Sequence, residues 1–526
     1  MKTLILCALY LGVLVFVSYK SYRGTSTAKD YLLGGKRSHP VIMALSYGAT
    51  FISTSAIIGF GGLAASTGLS LLWLAVLNVV VGVLIAFIFF GKRTHKLGVE
   101  LGAHTFPELL GKRFDSKMIR VGAGLLIFLF MPLYAAAIIK GGVNFIEVYF
   151  HIPYEVSLLI FVSIVAVYVL MGGLKAVIYT DFIQSLILIA AITMLIGFTY
   201  YKLGGIIEAH TKLTELFHNP AVQNDIAGLK ASGFAGWTSM PAMGSPLWWS
   251  LVSSIIGAVG FGVLAQPQLV VRFMTVKNTR DLNRAVIAGG IFIIMMAGGA
   301  YVVGALSNVL MFEKFGLIAK TAAGGINDNI IPFFITNFMP EWYSAIFLVA
   351  MLAAAMSTLS GQFHTMGAAL GHDIGGTLLP RYKESIAINR YGMCITILLS
   401  LVLAWGAKHL DSTEAIIAKG TIIFFELGIC AFLPAYMGAL FCKNMPKRAA
   451  EAGMIVGTAV WFVWTFFISS MGASLGLSKL LTGKTYLLEG TEYTRIAALG
   501  SSFPGIGLAV LTIAVVWFVT AKKASK

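Results

Sequence analysis

Apolar stretches of bilayer-crossing length, broken by short polar joints, recur along the whole chain, and about thirteen can be counted. They fall near residues 3–17, 40–66, 69–90, 118–149, 154–171, 177–200, 247–271, 284–311, 342–371, 386–406, 413–441, 449–472 and 503–520. Each reads as a membrane-spanning helix, with boundaries soft by several residues. The longest joints, 202–246 and 313–341, fall on one side; the second carries Gly324-Gly325-Ile326-Asn327-Asp328-Asn329, a turn signal ahead of an amphipathic run to Phe338 that would cap that face.

Two stretches carry helix-weakening residues at their middles. In the second, Ser46-Tyr47-Gly48-Ala49-Thr50 precedes Ser53-Thr54-Ser55 and Gly59; in the seventh, Gly257, Gly260 and Gly262 precede Pro267. If stretches two to six and seven to eleven are halves of opposite orientation, each half begins with its interrupted helix, where a midplane binding site is expected. Gly and Pro are also common in membrane helices at large, so composition alone leaves the point open.

The ninth stretch places hydroxyls in oily surroundings: Ala353-Ala-Ala-Met-Ser-Thr-Leu-Ser-Gly361. On a helix Ala354, Ser357 and Thr358 stand three and four apart, so one carbonyl and two hydroxyls share a face. Three hard oxygens so arranged suit a small dehydrated cation; back-bonding of Ser and Thr to the preceding turn, or close packing of small residues, is the reading that the stretch alone favours.

Composition fixes the class. With 58% hydrophobic and 11% charged residues and a mean hydropathy of +0.86, the chain is an integral membrane protein. A net charge of +16 would suggest nucleic acid as partner for a soluble chain; here the basic residues sit in the joints, and no nucleic-acid role is expected. Roughly 26 of the 38 Lys and Arg fall on one side, which the positive-inside rule makes cytoplasmic, with the N-terminus outside and the C-terminus inside a plasma membrane. Residues 1–19 look like a secretory signal but lack a small-x-small cleavage region and read as a retained first helix. Cys7, Cys394, Cys430 and Cys442 have neither metal spacing nor a disulfide framework and read as packing residues. Lys140 in the fourth stretch and Glu426 in the eleventh are charges within apolar sequence, expected to pair with each other, with a substrate carboxylate, or to snorkel and bond locally. His364 reads as a packing residue and Trp248-Trp249 as an interfacial anchor.

Several motifs taken together resemble the sodium:solute symporter family, whose members include bacterial proline, pantothenate, sialic acid and sugar symporters. They are Asp30-Tyr-Leu-Leu-Gly-Gly-Lys-Arg37, Ala44-Leu-Ser-Tyr-Gly-Ala-Thr50, Tyr179-Thr-Asp-Phe-Ile-Gln184, Gln266-Pro267 with Val271-Arg272-Phe273, and Ala355-Met-Ser-Thr-Leu-Ser360. The resemblance implies an all-α, leucine-transporter-type fold of about 13 transmembrane helices in one domain over 1–526. An N-terminal helix and loop (1–38) would precede inverted five-helix repeats at 39–203 and 247–442, with two C-terminal helices in 443–526. It implies a transporter, not an enzyme, with no cofactor and with sodium as coupling ion, held by the carbonyls of Ala49, Ile52 and Ala354 and the hydroxyls of Ser357 and Thr358. Some members bind a second sodium: Asp181, Ser357 and Ser360 match that set, but Gly361 stands where they carry a further hydroxyl. Asp181 is left as an exit-path or a structural carboxylate.

The family's proline symporter has an acidic residue where this chain has Phe51, and aromatics where it has Val259 and Val263. Phe261-Gly262-Val263, Ile152-Pro153-Tyr154-Glu155 and Thr50-Phe51-Ile52-Ser53 are closer to the pantothenate and monocarboxylate members. The resemblance therefore implies sodium-coupled symport of a small organic acid, with Tyr47, Phe51, Lys140, Phe261, Val263, Pro267 and Glu426 as candidates at the substrate site. Transport of an amino acid or sugar, coupling to protons through Glu426 or Asp181, and a passive channel or transport-like sensor are the alternatives.

Overall fold

The computed structural model describes residues 2–23, 28–33, 39–379, 385–408 and 416–524, and every regular element among them is helical. The joint residues Gly34 to Arg37 and Arg381 lie outside the described residues. Eleven helices are long and apolar enough to cross a membrane, and shorter apolar helices cover Pro40–Phe51 and Tyr154–Leu170. Each apolar stretch expected from the sequence is a helical segment, including the first, Lys2–Tyr22, which packs along the sixth and ninth. In that contact the Gln184 amide donates to the Tyr10 hydroxyl at 2.9 Å.

Glycines set two of the turns between spans. Helix runs with little interruption from Ser55 to Glu100, but Gly68 has φ 75°, and a Cβ there would meet the Trp237 carbonyl oxygen at 2.2 Å. Gly173, φ 61°, separates the fifth span from the sixth, with Tyr31 packed against it. Both are left-handed positions that other residues adopt at a steric cost.

Both interrupted helices are broken. The second span stops at Phe51, Ile52 leaves helical geometry (φ −83°, ψ 95°), and helix resumes at Ser55. The seventh stops at Ala265, and Gln266 (φ −73°, ψ 114°) leads into a second half over Pro267–Phe273. Pro267 lacks an N–H and disfavours helical backbone at the residue before it, which places the break. The glycines expected to weaken this span do not break it. Gly262 instead lets the eleventh span approach, since a Cβ there would lie 2.6 Å from the Phe425 carbonyl oxygen.

At the end of the bundle carrying the basic joints, the helix Phe106–Arg113 is capped by Thr105, whose hydroxyl accepts from the Glu108 N–H and donates to Asp373 at 2.7 Å. Glu108, 1% exposed, meets Lys112 at 3.0 Å and His372 at 3.1 Å, while Arg120 reaches Asp373 at 3.1 Å. The joint between the third and fourth spans is thereby tied to the last turns of the ninth. Burial alone would push the Glu108 carboxyl up. The hydrogen bond and charge of His372, the Arg120 charge and the His104 N–H together hold it well below the usual carboxylate range. At the opposite end, Asn327–Asn329 and the helix Ile330–Phe338 are largely buried and cap the bundle.

Candidate functional site

Where the second span breaks, it lies against the hydroxyl run of the ninth. Ser357 donates to the Ala49 carbonyl at 2.8 Å and the Ala354 carbonyl at 3.1 Å. Thr358 donates to the Thr50 carbonyl at 3.0 Å and approaches that of Ala49 at 3.4 Å. Four of the five oxygens expected to hold sodium, those of Ala49, Ala354, Ser357 and Thr358, are thus gathered between two helices, all fully buried. Ile52 is the residue at which the helix unwinds, so its carbonyl is released from the intrahelical ladder. Back-bonding to Ala354 does occur, but the same hydroxyl reaches across to the second span, which intrahelical bonding does not explain. Carbonyls from an unwound segment plus two hydroxyls form a neutral, hard-oxygen donor set for a small monovalent cation.

One turn toward the basic end lies a buried ion pair. Arg272, from the second half of the seventh span, contacts Asp181 of the sixth at 2.8 Å, and neither side chain is exposed. Ser46 and Thr50 donate to the same carboxylate oxygen at 2.8 and 3.1 Å. The Arg272 guanidinium also donates to Ser46 at 3.1 Å, to Thr50, and to the Gln268 carbonyl at 2.5 Å. A Cβ on Gly361 would sit 3.0 Å from the Thr50 methyl and 3.3 Å from an Arg272 nitrogen, and Ser360 donates back to the Ser357 carbonyl at 2.9 Å. The side of the ninth helix where a second cation would need oxygens therefore faces a guanidinium. Counted by position, Arg272 belongs to a basic joint; that a joint arginine folds inward is visible only in three dimensions.

Beside these oxygens is a small cavity, about 10 Å³, room for about one water, lined by Phe51, Ile52, Ser53, Ala56, Phe60, Asn78, Tyr134, Val259, Tyr301, Thr421 and Phe425. Of the substrate-site candidates Phe51 lines it, with its ring 6.2 Å from that of Phe425. The other six substrate-site candidates lie off it. Tyr47 is a turn away, its hydroxyl donating to the Gly82 carbonyl at 2.9 Å and its ring between Phe87 and Phe273. Phe261 is 46% exposed; two residues on from Val259, it points to the other side of the helix. Val263 packs on Gly82, and Pro267 starts the lower half-helix. The pairing of Lys140 with Glu426 does not form. Lys140 donates to the Ala407 carbonyl at 3.4 Å on the tenth span, whereas Glu426 accepts from Ser501 at 2.7 Å, at the start of the thirteenth. Neighbouring residues on a helix are 100° apart, so Phe425 faces the cavity and Glu426 cannot.

Sequence reasoning passed over Asn78, Tyr134, Tyr301 and Thr421. Asn78 offered a signal, a lone amide in Leu72–Val79, and its oxygen is buried without a hydrogen-bond partner. Single tyrosines and threonines in apolar helices offer none.

The family model for the sodium:solute symporter family matches residues 31–457. The high-affinity proline transporter of Bacillus subtilis is 29% identical over 481 residues, covering 89% of this chain and 91% of its own. A sodium/proline symporter of Staphylococcus aureus is 26% identical over 499 residues, 92% of this chain and 90% of its own. Among solved structures, a substrate-bound, outward-open Na+-coupled sialic acid symporter superimposes with a TM-score of 0.71 over 98% of both chains at 17% identity, a likeness of fold.

Proposed function

The chain belongs to the sodium:solute symporter family, and from that premise we propose that it carries a small organic acid, a monocarboxylate or pantothenate-like anion, together with one sodium ion. It is a multi-pass membrane transporter of leucine-transporter-type fold that couples solute movement to sodium. The observation that carries the substrate reading is the cavity wall. Among the described residues its polar groups are hydroxyls and one amide, with no carboxylate. A substrate carboxylate meets donors from Ser53, Asn78 and Thr421 and the field of the sodium held next door, with Ile52 common to both sites. An ammonium group meets no counter-charge, and in so dry a setting that is costly.

Sodium sits among the oxygens of Ala49, Ile52, Ala354, Ser357 and Thr358. It replaces the hydrogen bonds that now join the second and ninth spans and holds the broken helix in the shape that forms the cavity wall. Each ligand then tightens the other. Repeats over 39–203 and 247–442 move against one another, and the basic end, taken as cytoplasmic, opens when the Arg272–Asp181 pair parts from Ser46 and Thr50. Arg272 supplies a fixed positive charge where a second cation would otherwise be needed, which favours a stoichiometry of one.

The relatives favour a second reading, proline as substrate, and proline differs in bringing an ammonium group. Proteoliposomes under an inward sodium gradient, offered labelled lactate, pantothenate and proline, separate the two. Accumulation of an organic acid that collapses without the gradient is expected. Accumulation of proline alone, or uptake indifferent to sodium, refutes the proposal.

A further inference from the structure

Toward the basic end of the bundle the first span parts from the sixth. The two run antiparallel and are joined near the middle of the first by the Gln184–Tyr10 hydrogen bond. Beyond that bond a groove of about 590 Å³ opens between them. Lys175, Tyr179 and Phe182 line it from the sixth span, four and three residues apart and therefore on one helical face. Phe16 and Lys20 of the first span, also four apart, line the opposite wall.

The groove is apolar below and basic at its rim. Phe16, Phe182 and Ile183 form the apolar part, and Phe16 is 66% exposed, which on a membrane-crossing helix means open to hydrocarbon. The rim carries Lys20, in the last turn of the first helix, and Lys175, at the start of the sixth span. Among the described residues neither lysine is ion-paired and no carboxylate lines the groove. Two ammonium groups thus stand where long side chains carry their charge to the membrane surface, over an apolar trough entered from the side. A soluble anion would meet the lysines and leave the trough uncovered. A zwitterionic lipid would cover the trough and set its own ammonium against the lysines.

We propose that this groove binds one anionic glycerophospholipid from the leaflet at the basic end. Its phosphate sits between Lys20 and Lys175, with the Tyr179 hydroxyl as a further donor, and one acyl chain lies against Phe16, Phe182 and Ile183. A basic pocket between spanning helices at this depth suits an anionic headgroup, since each lysine near the surface adds attraction to negative lipid. The first span packs on the sixth and ninth with only 17% of its apolar window buried, so the lipid adds contact that the bundle does not supply. It also braces the sixth span two residues from Asp181, the carboxylate that pairs with Arg272. The site does not depend on which solute is carried.

The test uses the full chain, purified in a non-ionic detergent and stripped of lipid. It is titrated with phosphatidylglycerol or phosphatidylcholine of matched chains and read by native mass spectrometry. The parent should retain one phosphatidylglycerol at concentrations where phosphatidylcholine is not held. Lys20→Gln with Lys175→Gln should weaken that retention roughly 10–30-fold, and Lys20→Gln alone roughly fivefold, which keeps the test open if the pair fails to fold. Lys20→Arg with Lys175→Arg, which keeps the charges, should hold the lipid as the parent does. Lys277→Gln with Arg280→Gln, in the joint between the seventh and eighth spans, should leave retention within about twofold, since the joint is no part of the groove. Glycerol 3-phosphate, which has the phosphate without the chains, should not displace the lipid. Equal retention of the two lipids, or parental retention in the Lys20 and Lys175 glutamine variants, overturns the site. An equal loss in the joint variant, which would reduce the effect to bulk charge, or displacement by glycerol 3-phosphate overturns it as well.

Discussion

Replacing Ser357 by Ala removes one hydroxyl from the proposed sodium shell, and the structure sets the size of the effect. Without sodium that hydroxyl bridges two carbonyls, Ala49 at 2.8 Å and Ala354 at 3.1 Å. With sodium bound, its lone pair faces the ion. The substitution therefore costs both states, and the affinity change is the difference between them. A contact to a charge contributes about 1.5–3 kcal/mol and a neutral hydrogen bond about 0.5–1.5, leaving a net loss of about 1–2 kcal/mol, or roughly 5–30-fold in half-saturating sodium. Thr358→Val, which keeps shape and loses the hydroxyl, should fall in the same range, and the pair should exceed either alone. The assay is initial uptake into proteoliposomes against sodium concentration at saturating substrate. Cells are unsuitable because their sodium is not set independently on both sides. If half-saturating sodium in Ser357→Ala stays within twofold of the parent while uptake remains sodium-dependent, the ninth-span hydroxyls do not hold the ion.

Other consequences concern the charges around that shell. Arg272→Gln leaves Asp181 buried with only Ser46 and Thr50 as partners, and should destabilise the purified protein by about 3–5 kcal/mol; Arg272→Gln with Asp181→Asn should recover part of that loss in thermal unfolding. Gly361→Ser crowds Thr50 and Arg272, so it should cost about 1–3 kcal/mol and leave the sodium dependence of uptake with a Hill coefficient near one; a coefficient approaching two would reinstate a second sodium. Glu108→Gln should lower the melting temperature at pH 7. Because the Glu108 carboxyl is depressed in the folded state, its contribution is complete above the ordinary carboxylate pKa and is lost only as pH falls toward the depressed folded value, so the gap between parent and variant should be constant above about pH 5 and narrow steadily below it.

The course of the chain through the membrane was legible in its hydropathy, because a spanning helix satisfies its own backbone and needs only an apolar length to declare itself. The run from Ala353 to Gly361 could be read as a cation-binding face because its hydroxyls lie one turn apart on a single helix. The carbonyl of Ala49 could be assigned to the same ion only through family likeness, since 308 residues of chain separate it from Ser357.

The candidates that lie off the cavity show the limit. Tyr47, Lys140, Phe261 and Glu426 are conspicuous in sequence, but which way each faces depends on the rotation of its helix against its neighbours. Arg272 shows the converse: a joint arginine by position, it is wholly buried because Asp181, Ser46 and Thr50 from two other spans converge to satisfy its donors. Local periodicity sufficed for the membrane class, the course of the helices and half of the proposed cation shell. Only the packed helices settle which polar groups share a cavity, that Arg272 turns inward to Asp181, and that Asp328 is buried against the start of the eleventh span, because burial and pairing are set by contacts between helices remote along the chain.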